Sequence, residues 1–320
     1  MLDATDHLLA NRWQRDFPLV GRPFARIAAA AGLTEDDVLE RYRRLQREGV
    51  IDRIGPVFRP NAVGASSLAA MAVPAARLEA VARYVSSQAG VNHNYEREHR
   101  YNLWFVATGA SAGEVQWTLS CIEHATGLPV LRLPLVEEFH IDLGFDLDGA
   151  PQPREHAAPP PFAPLAADER RLVGETVAGL PLVAEPYAAV AARLGGDATR
   201  VIAGLERMLA DGRIRRLGAV VRHRRVGYAA NAMVVWDVPD EATADAGRRL
   251  AADPAVTLCY RRARALPDWP YNFYCMVHGR ERERVLAEID RLNRAYGLAD
   301  RPHEVLFSRR CFAQRAARYG

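Results

Sequence analysis

The chain has 320 residues, a length that suggests about two domains or a larger number of small ones. Hydrophobic residues make up 49% and charged residues 25%, which excludes a disordered chain. The 42 basic residues face 39 acidic ones for a net charge of only +3, which excludes a general electrostatic binder of nucleic acid.

The chain begins Met1-Leu2-Asp3-Ala4-Thr5-Asp6, polar and acidic, unlike a secretory signal. A short helix is predicted over 24–31, stopped by Gly32. Thr34 caps a second helix, and Asp37 three residues on approximates a capping box. Val38, Leu39, Tyr42 and Leu45 recur at helical spacing and form its buried stripe. Gly49 ends it. Two short strands around Gly55-Pro56 then read as the wing of a winged helix-turn-helix. A β-α-β-β-α-β pattern follows over 67–73, 75–88, 91–98, 101–108, 111–125 and 131–141, the ferredoxin-like arrangement. Its two helices cover one sheet face and leave the other free to meet a second sheet.

Near the midpoint, the run Pro-Gln-Pro-Arg-Glu-His-Ala-Ala-Pro-Pro-Pro-Phe-Ala-Pro at 151–164 favours extended polyproline II and reads as a linker. Beyond it the first half is written again. Helices are predicted over 188–194 and 197–210, ended by Gly212. The β-α-β-β-α-β pattern recurs over 229–238, 241–252, 255–262, 271–278, 280–296 and 303–312. Residues 49–59 align with 212–222, Gly64 with Gly227, 91–97 with 256–262, and 101–105 with 271–275. The fold class is therefore α+β: a tandem duplication of a winged helix-turn-helix plus a ferredoxin-like domain, docked as a pseudo-dimer. The expected division is 1–62, 63–148, a linker at 149–164, 165–224 and 225–320.

Such a module suggests a DNA reader, but its second helix opens Glu35-Asp36-Asp37. Three acids there favour the helix dipole and repel phosphate, and Arg41, Arg43, Arg44 and Arg47 are expected to face solvent. The matching helix of the second half opens Asp197-Ala198-Thr199-Arg200 and continues apolar from Val201 to Leu205. DNA is not an expected partner.

The chemistry concentrates in two hairpins. In the first, strand alternation puts Val91, His93, Tyr95 and Arg97 on one face, a proton donor, an aromatic plate and an anion clamp in line, with His99 and Arg100 in the turn. The second, over 259–279, has a longer and more aromatic turn. His93 aligns with Leu258 and His278 with Thr108, so each half has a strand histidine where the other has none. One asymmetric site shared by diverged copies accounts for that. His124, His140, His156, His223 and His303 read as surface or core residues.

The module as a whole resembles the Lrp/AsnC regulators. The segments Val-Asn-His-Asn-Tyr-Glu-Arg-Glu-His-Arg-Tyr-Asn-Leu-Trp-Phe at 91–105 and Pro-Asp-Trp-Pro-Tyr-Asn-Phe-Tyr-Cys-Met-Val-His-Gly at 267–279 resemble the two hairpins of the sirohaem decarboxylases. That family is similar to Lrp/AsnC proteins in fold and includes the Nir proteins of haem d1 formation and the Ahb proteins of alternative haem synthesis. The chain resembles the fused D–L form of the Nir type over nearly its whole length. Leu258 departs from the pattern, since many relatives of the second half carry histidine there.

The resemblance implies loss of the two acetate carboxylates of sirohaem to give 12,18-didecarboxysirohaem, a carboxy-lyase reaction. His93, His278 and His99 are the candidate proton donors, and His93 or His278 could instead approach the substrate iron. Arg97, Arg100, Arg261, Arg262 and Arg264 are candidate clamps for substrate carboxylates. Tyr95, Tyr101, Trp104, Tyr260, Trp269 and Tyr271 are candidate walls for the macrocycle. No cofactor and no resident metal are implied, because the iron belongs to the substrate. Sirohaem is the expected small-molecule partner, with a second copy of the chain or further Nir-type subunits as expected protein partners. The alternative is a regulator of the Lrp/AsnC type that senses a tetrapyrrole or small acid.

The apolar stretches are shorter than the roughly 18 residues of a membrane helix. Cys121, Cys259, Cys275 and Cys311 show neither a CxxC pair nor a zinc spacing. Both features suit a reducing, cytoplasmic location.

Overall fold

A computed structural model describes residues 2–141, 162–222 and 230–319. Residues 149–161 of the expected linker, together with His156 and His223, lie outside the described residues.

The first half opens with α1 (Ala4–Arg12), α2 (Pro23–Ala31) and α3 (Glu35–Arg47). Pro23 starts α2, where its missing N–H costs nothing, and Gly32 ends it in the left-handed region at φ 68°. The Thr34 hydroxyl accepts from Asp37 N–H, and the Asp37 carboxylate accepts from Thr34 N–H, so the expected capping box is complete. The second half repeats the layer with α6 (Ala167–Thr176), α7 (Pro186–Leu194) and α8 (Ala198–Ala210).

Helices α1 and α6 add to the expected elements, and each braces the opposite half. The segment after α1 bonds the second half through Ala219 N–H to Trp13 O (2.7 Å) and Phe17 N–H to Leu217 O (3.1 Å). The segment after α6 does the same to the first half through Leu180 N–H to Ile54 O (2.7 Å).

The wing differs from its sequence reading. Instead of two strands turning at Gly55-Pro56, one continuous strand, β1 (Ile51–Phe58), runs through that dipeptide and pairs antiparallel with β6 (Ile214–Val221). Gly55 lies opposite Gly218 at the centre. Small residues are required there: a Cβ on Gly218 would sit 2.3 Å from Trp13 O, and one on Gly55 would sit 3.0 Å from Gly179 Cα. Each wing thus satisfies its backbone on the other half.

The rest is β2 (Ala65–Met71), α4 (Leu78–Ser87), β3 (Val91–Arg97), β4 (Leu103–Gly109), α5 (Ala112–Thr126) and β5 (Leu131–Ile141). Its repeat is β7 (Ala230–Trp236), α9 (Asp240–Ala251), β8 (Val256–Arg262), β9 (Phe273–Gly279), α10 (Arg282–Tyr296) and β10 (His303–Gln314). Within each half the strand order is ferredoxin-like, but the halves also join at their edges. The last strand of each half starts on its own sheet and finishes on the other, so β5 reaches β8 and β10 reaches β3. The eight strands close into one barrel in the order β10, β3, β4, β2, β5, β8, β9, β7.

Helices cover the outside over two apolar layers, Leu103, Phe105 and Ala107 with α4 and α5, and Phe273, Cys275 and Val277 with α9 and α10. The alternate residues fill the interior: Trp104, Leu133, Met233, Tyr260, Trp269, Tyr274, Met276 and Leu306. Among the described residues no helix is long and apolar enough to cross a membrane.

Candidate active site

Sequence alternation puts Val91 on the face of His93, but the structure separates them. The β3–β4 register shifts between Val91 and His93. Asn92 is the extra residue of this bulge, Val91 turns to the helix layer, and His93 lies opposite Val106 at the edge of the interior cluster. Bulges re-aim side chains in this way. The matching shift in β8 falls between Val256 and Leu258, at Thr257.

From His93 the inner face of β3 continues through Tyr95 to Arg97. The His93 and Tyr95 rings stack at 6.2 Å with 12° between planes, and the Arg97 guanidinium lies 5.9 Å from the Tyr95 ring centre. Arg97 is 8% exposed. It donates to Leu306 O at 3.0 Å, and its Nη2 lies 4.0 Å from Met276 Sδ. Met276 precedes His278 on the same face of β9. In barrel order β3, β10, β7 and β9 are consecutive, so His93, Tyr95, Arg97, Met276 and His278 belong to one stretch of inner wall.

His278 Nδ1 lies 2.8 Å from the Thr257 hydroxyl, which also donates to Met276 O at 3.2 Å. A hydroxyl has one proton. Directed at the carbonyl, it accepts from Nδ1–H, and turned to the ring it donates to Nδ1, so the contact holds the ring of His278 in place under either tautomer. In the first half Thr108 stands in the place of His278, and its hydroxyl donates to Gly90 O and accepts from Arg318 N–H.

His93 sits where the barrel meets the wing. Burial first, and then the Arg53 guanidinium, push its pKa down to about 4, with the Asp52 carboxylate opposing. Asp52 is held between Arg53 Nη1 at 2.8 Å and Arg222 Nη2 at 2.6 Å. Gln314, opposite His93 on β10, accepts from the Tyr95 hydroxyl at 3.3 Å. Beside them a cleft of about 450 Å³ opens, lined by Asp52, Arg222, Gln314, Arg315, Arg318 and the end of α6.

The corresponding corner of the second half is built differently. Leu258 replaces His93, Arg215 replaces Asp52, and Glu138 lies opposite Tyr260 where Cys311 lies opposite Tyr95. Glu138 takes Arg59 Nη1 at 3.3 Å and also contacts Arg215 Nη2. Burial, followed by Arg59 and Arg15, pushes the Arg215 pKa down to about 9. Arg262 stacks at 4.6 Å over Tyr260 and donates to Leu133 O at 2.8 Å, mirroring Arg97 on Tyr95 and Leu306.

The other end of the barrel is plugged. The turn of the second hairpin folds Trp269 inward until it is 1% exposed. It meets Trp104 at 5.1 Å, Tyr101 at 5.8 Å, Tyr271 at 4.9 Å and His99 at 5.4 Å, and its Nε1 donates to the Tyr274 hydroxyl at 2.7 Å. His99 accepts from Tyr101 N–H at 3.0 Å, and burial is the main cause lowering its pKa. Arg100 donates to Asp268 O at 2.7 Å, tying the two turns together.

The structure therefore lines up His93, Tyr95 and Arg97 on one face of β3, places His278 two residues beyond the Met276 that Arg97 contacts, and gathers Tyr101, Trp104, Trp269, Tyr271, His99 and Arg100 at the far plug. Two predicted clamps point elsewhere. Arg261 pairs with Glu137 at 3.5 Å, and Arg264 is engaged by Asp237 at 2.8 Å and Asp240 at 2.6 Å. Thr257, Gln314, Asp52, Arg53 and Arg222 escaped sequence reasoning, because bulges and wing pairing place them; the repeat alignment of Arg59 with Arg222 was their one visible signal.

The helix-turn-helix surface is also occupied from within. Arg41 binds Asp3 at 2.8 Å and Asp6 at 2.7 Å, Arg44 binds Asp6, Arg43 donates to Leu182 O, and Arg47 pairs with Glu40. These arginines are partly or largely exposed, as expected of a solvent face, and each also has a partner within the chain, Arg41 and Arg44 on the acids of α1 and its cap.

Comparison with known proteins gives two family matches, each found twice in the chain. The "AsnC-like ligand binding domain" matches residues 62–140 and 225–313, and the "Siroheme decarboxylase NirDL-like HTH domain" matches 6–51 and 169–215. The siroheme decarboxylase NirDL subunit of Paracoccus denitrificans is 43% identical over 99% of this chain and 97% of its own length. The NirD subunit of Pseudomonas aeruginosa is 47% identical over 47% of this chain and 99% of its own length. The crystal structure of the siroheme decarboxylase NirDL in complex with an iron-uroporphyrin III analogue matches at a TM-score of 0.70 and 28% identity, covering 99% of this chain and 94% of the other.

Proposed function

The chain belongs to the sirohaem decarboxylases of the NirDL type, and from that membership we propose that it removes both acetate carboxylates of sirohaem to give 12,18-didecarboxysirohaem, as a carbon–carbon lyase. Each carboxylate leaves as carbon dioxide. The electron pair of the broken bond passes into the conjugated ring, and the methylene carbon then takes a proton to become methyl. The reaction consumes one proton per carboxylate and needs no external oxidant or reductant.

The observation that supports this reading in the geometry is the contact of Arg97 with Met276 at 4.0 Å, which joins the inner face of β3 that carries His93 to the inner face of β9 that carries His278. Residues nearly two hundred positions apart share it. His93 is neutral near pH 7, since its pKa is about 4. A polyanionic substrate arriving beside it favours the imidazolium, so proton loading is tied to substrate binding. His278 is positioned by Thr257 and serves as the second donor. Arg97 and Arg262 hold the wall and give it positive charge, Tyr95 and Tyr260 present flat faces, and His99 belongs to the far plug. The iron travels with the substrate. The existence of separately named Nir subunits among the relatives supports further subunits as partners.

The test is anaerobic incubation of the purified chain with sirohaem, followed by mass spectrometry. Loss of two carbon dioxide units is expected. His93→Ala and His278→Ala should each lower kcat by roughly 10²-fold or more with a smaller effect on KM. Wild-type turnover in both variants would show that the protons come from elsewhere.

A further inference from the structure

The two corners where barrel meets wing are related by the repeat but carry different charge. We propose that the corner beside His93 binds one carboxylate arm of the tetrapyrrole on Arg222 and Arg318, and that its counterpart is closed by Glu138, so that each chain holds a single substrate. This rests on the reading that the chain acts on a polycarboxylate macrocycle.

Glu138 shows what such a corner accepts. Its carboxylate lies between Arg59 and Arg215, on the residue opposite the inner-wall tyrosine Tyr260. In the first half that residue is Cys311, a short and exposed side chain, so no carboxylate stands at that register position, and further along the chain, from Gln314 to Arg318, opens the cleft of about 450 Å³. Arg222, the repeat partner of Arg59, lines this cleft, and its Nε is buried with no partner among the described residues. The Arg318 guanidinium, also on the lining, makes no bond among the described residues, while its backbone N–H is fixed to Thr108. A buried donor without an acceptor is costly, and a carboxylate supplies the acceptor in forked geometry.

The cleft is built rather than loose. Arg315 pins its tail wall by donating to Val91 O, Ser86 O and Gln88 O. Asp52 partly offsets Arg222, which favours an arm that is exchanged over one that is trapped. Through Gln314 and Asp52 the cleft abuts His93, so an arm seated there brings the ring edge to the proton donor. In the second half Leu258 stands in place of His93 and a carboxylate is already in place. That corner lacks the acid, and its arginines are taken by Glu138.

The test titrates wild type, Arg222→Gln, Arg318→Gln and the double variant with the iron-uroporphyrin analogue, followed by absorbance. One equivalent per chain is expected. Each single change should weaken binding about tenfold, and the double change more. Arg318 lies on the surface, so an unchanged thermal midpoint for Arg318→Gln separates lost binding from lost fold. Unaltered affinity in both single variants, or two equivalents bound by wild type, overturns the proposal. A parallel titration with succinate separates an arm of the macrocycle from a free small acid; displacement of the analogue by stoichiometric succinate also overturns it. If wild type binds one equivalent through these arginines yet leaves sirohaem intact, the decarboxylase reading fails and the site assignment stands.

Discussion

His93 shows how much a single residue inherits from its surroundings. Its pKa of about 4 lies below the ordinary histidine value of roughly 6.5. Between those two values the unfolded chain binds a proton that the folded chain refuses. Stability from this group is therefore complete above about pH 6.5 and is lost as pH falls toward 4. Chemical denaturation followed across that window should show a declining midpoint, and His93→Gln should flatten the decline. A slope unchanged by the substitution would mean that other groups set it. The histidines themselves were legible, since repeat alignment exposes His93 against Leu258 and His278 against Thr108. Their partners were not, because Thr257 and Asn92 act as bulge residues, and a bulge leaves no mark in strand alternation. The arginines were legible as a class only. Arg261 and Arg264 sit in the same hairpin as Arg262, yet their acidic partners, Glu137 and the Asp237–Asp240 pair, come from other elements.

At the level of elements, the helices with caps and the strands with alternation were readable, including the Thr34 box and the stop at Gly32. Helices α1 and α6 were not, because each buries only a few apolar residues, such as Leu9 in α1 and Leu172 and Val173 in α6, and their purpose is to brace a distant strand. The wing was misread for a related reason. Gly55-Pro56 is good turn chemistry, but the glycine is needed for close approach across the repeat. Gly218→Ala should expose this: its Cβ would meet backbone at 2.3 Å, and overpacking of that kind costs on the order of 1–3 kcal/mol. Gly113→Ala, inside α5 and with only Ser111 Oγ at 3.7 Å, should be neutral or stabilising by about 0.5–1 kcal/mol. Urea midpoints of the two variants check both expectations, and a Gly218→Ala midpoint equal to wild type would show that the brace can slide.

For the whole molecule, duplication and the meeting of two sheet faces were visible in the sequence, whereas barrel closure was not, because strand exchange depends on the length of β5 and β10 and on where their bulges fall. The exchange makes the halves interdependent. Residues 1–148 alone would expose the edges of β3 and β5, and 165–320 alone those of β8 and β10. Co-expressed as separate chains they should co-purify as a one-to-one complex that retains decarboxylation. Each alone should aggregate or self-pair, as open sheet edges do. Two independently monomeric, stable halves would contradict the closed barrel.

The pairing of β3 with β10 also sets an order of assembly. These strands lie more than two hundred residues apart, and on one side β3 has no neighbour other than β10. Contacts of such separation form late. During synthesis the His93 wall stays unfinished until the final segment has emerged, so chains ending before His303 would carry both histidines and still lack the strand that joins their two sheets.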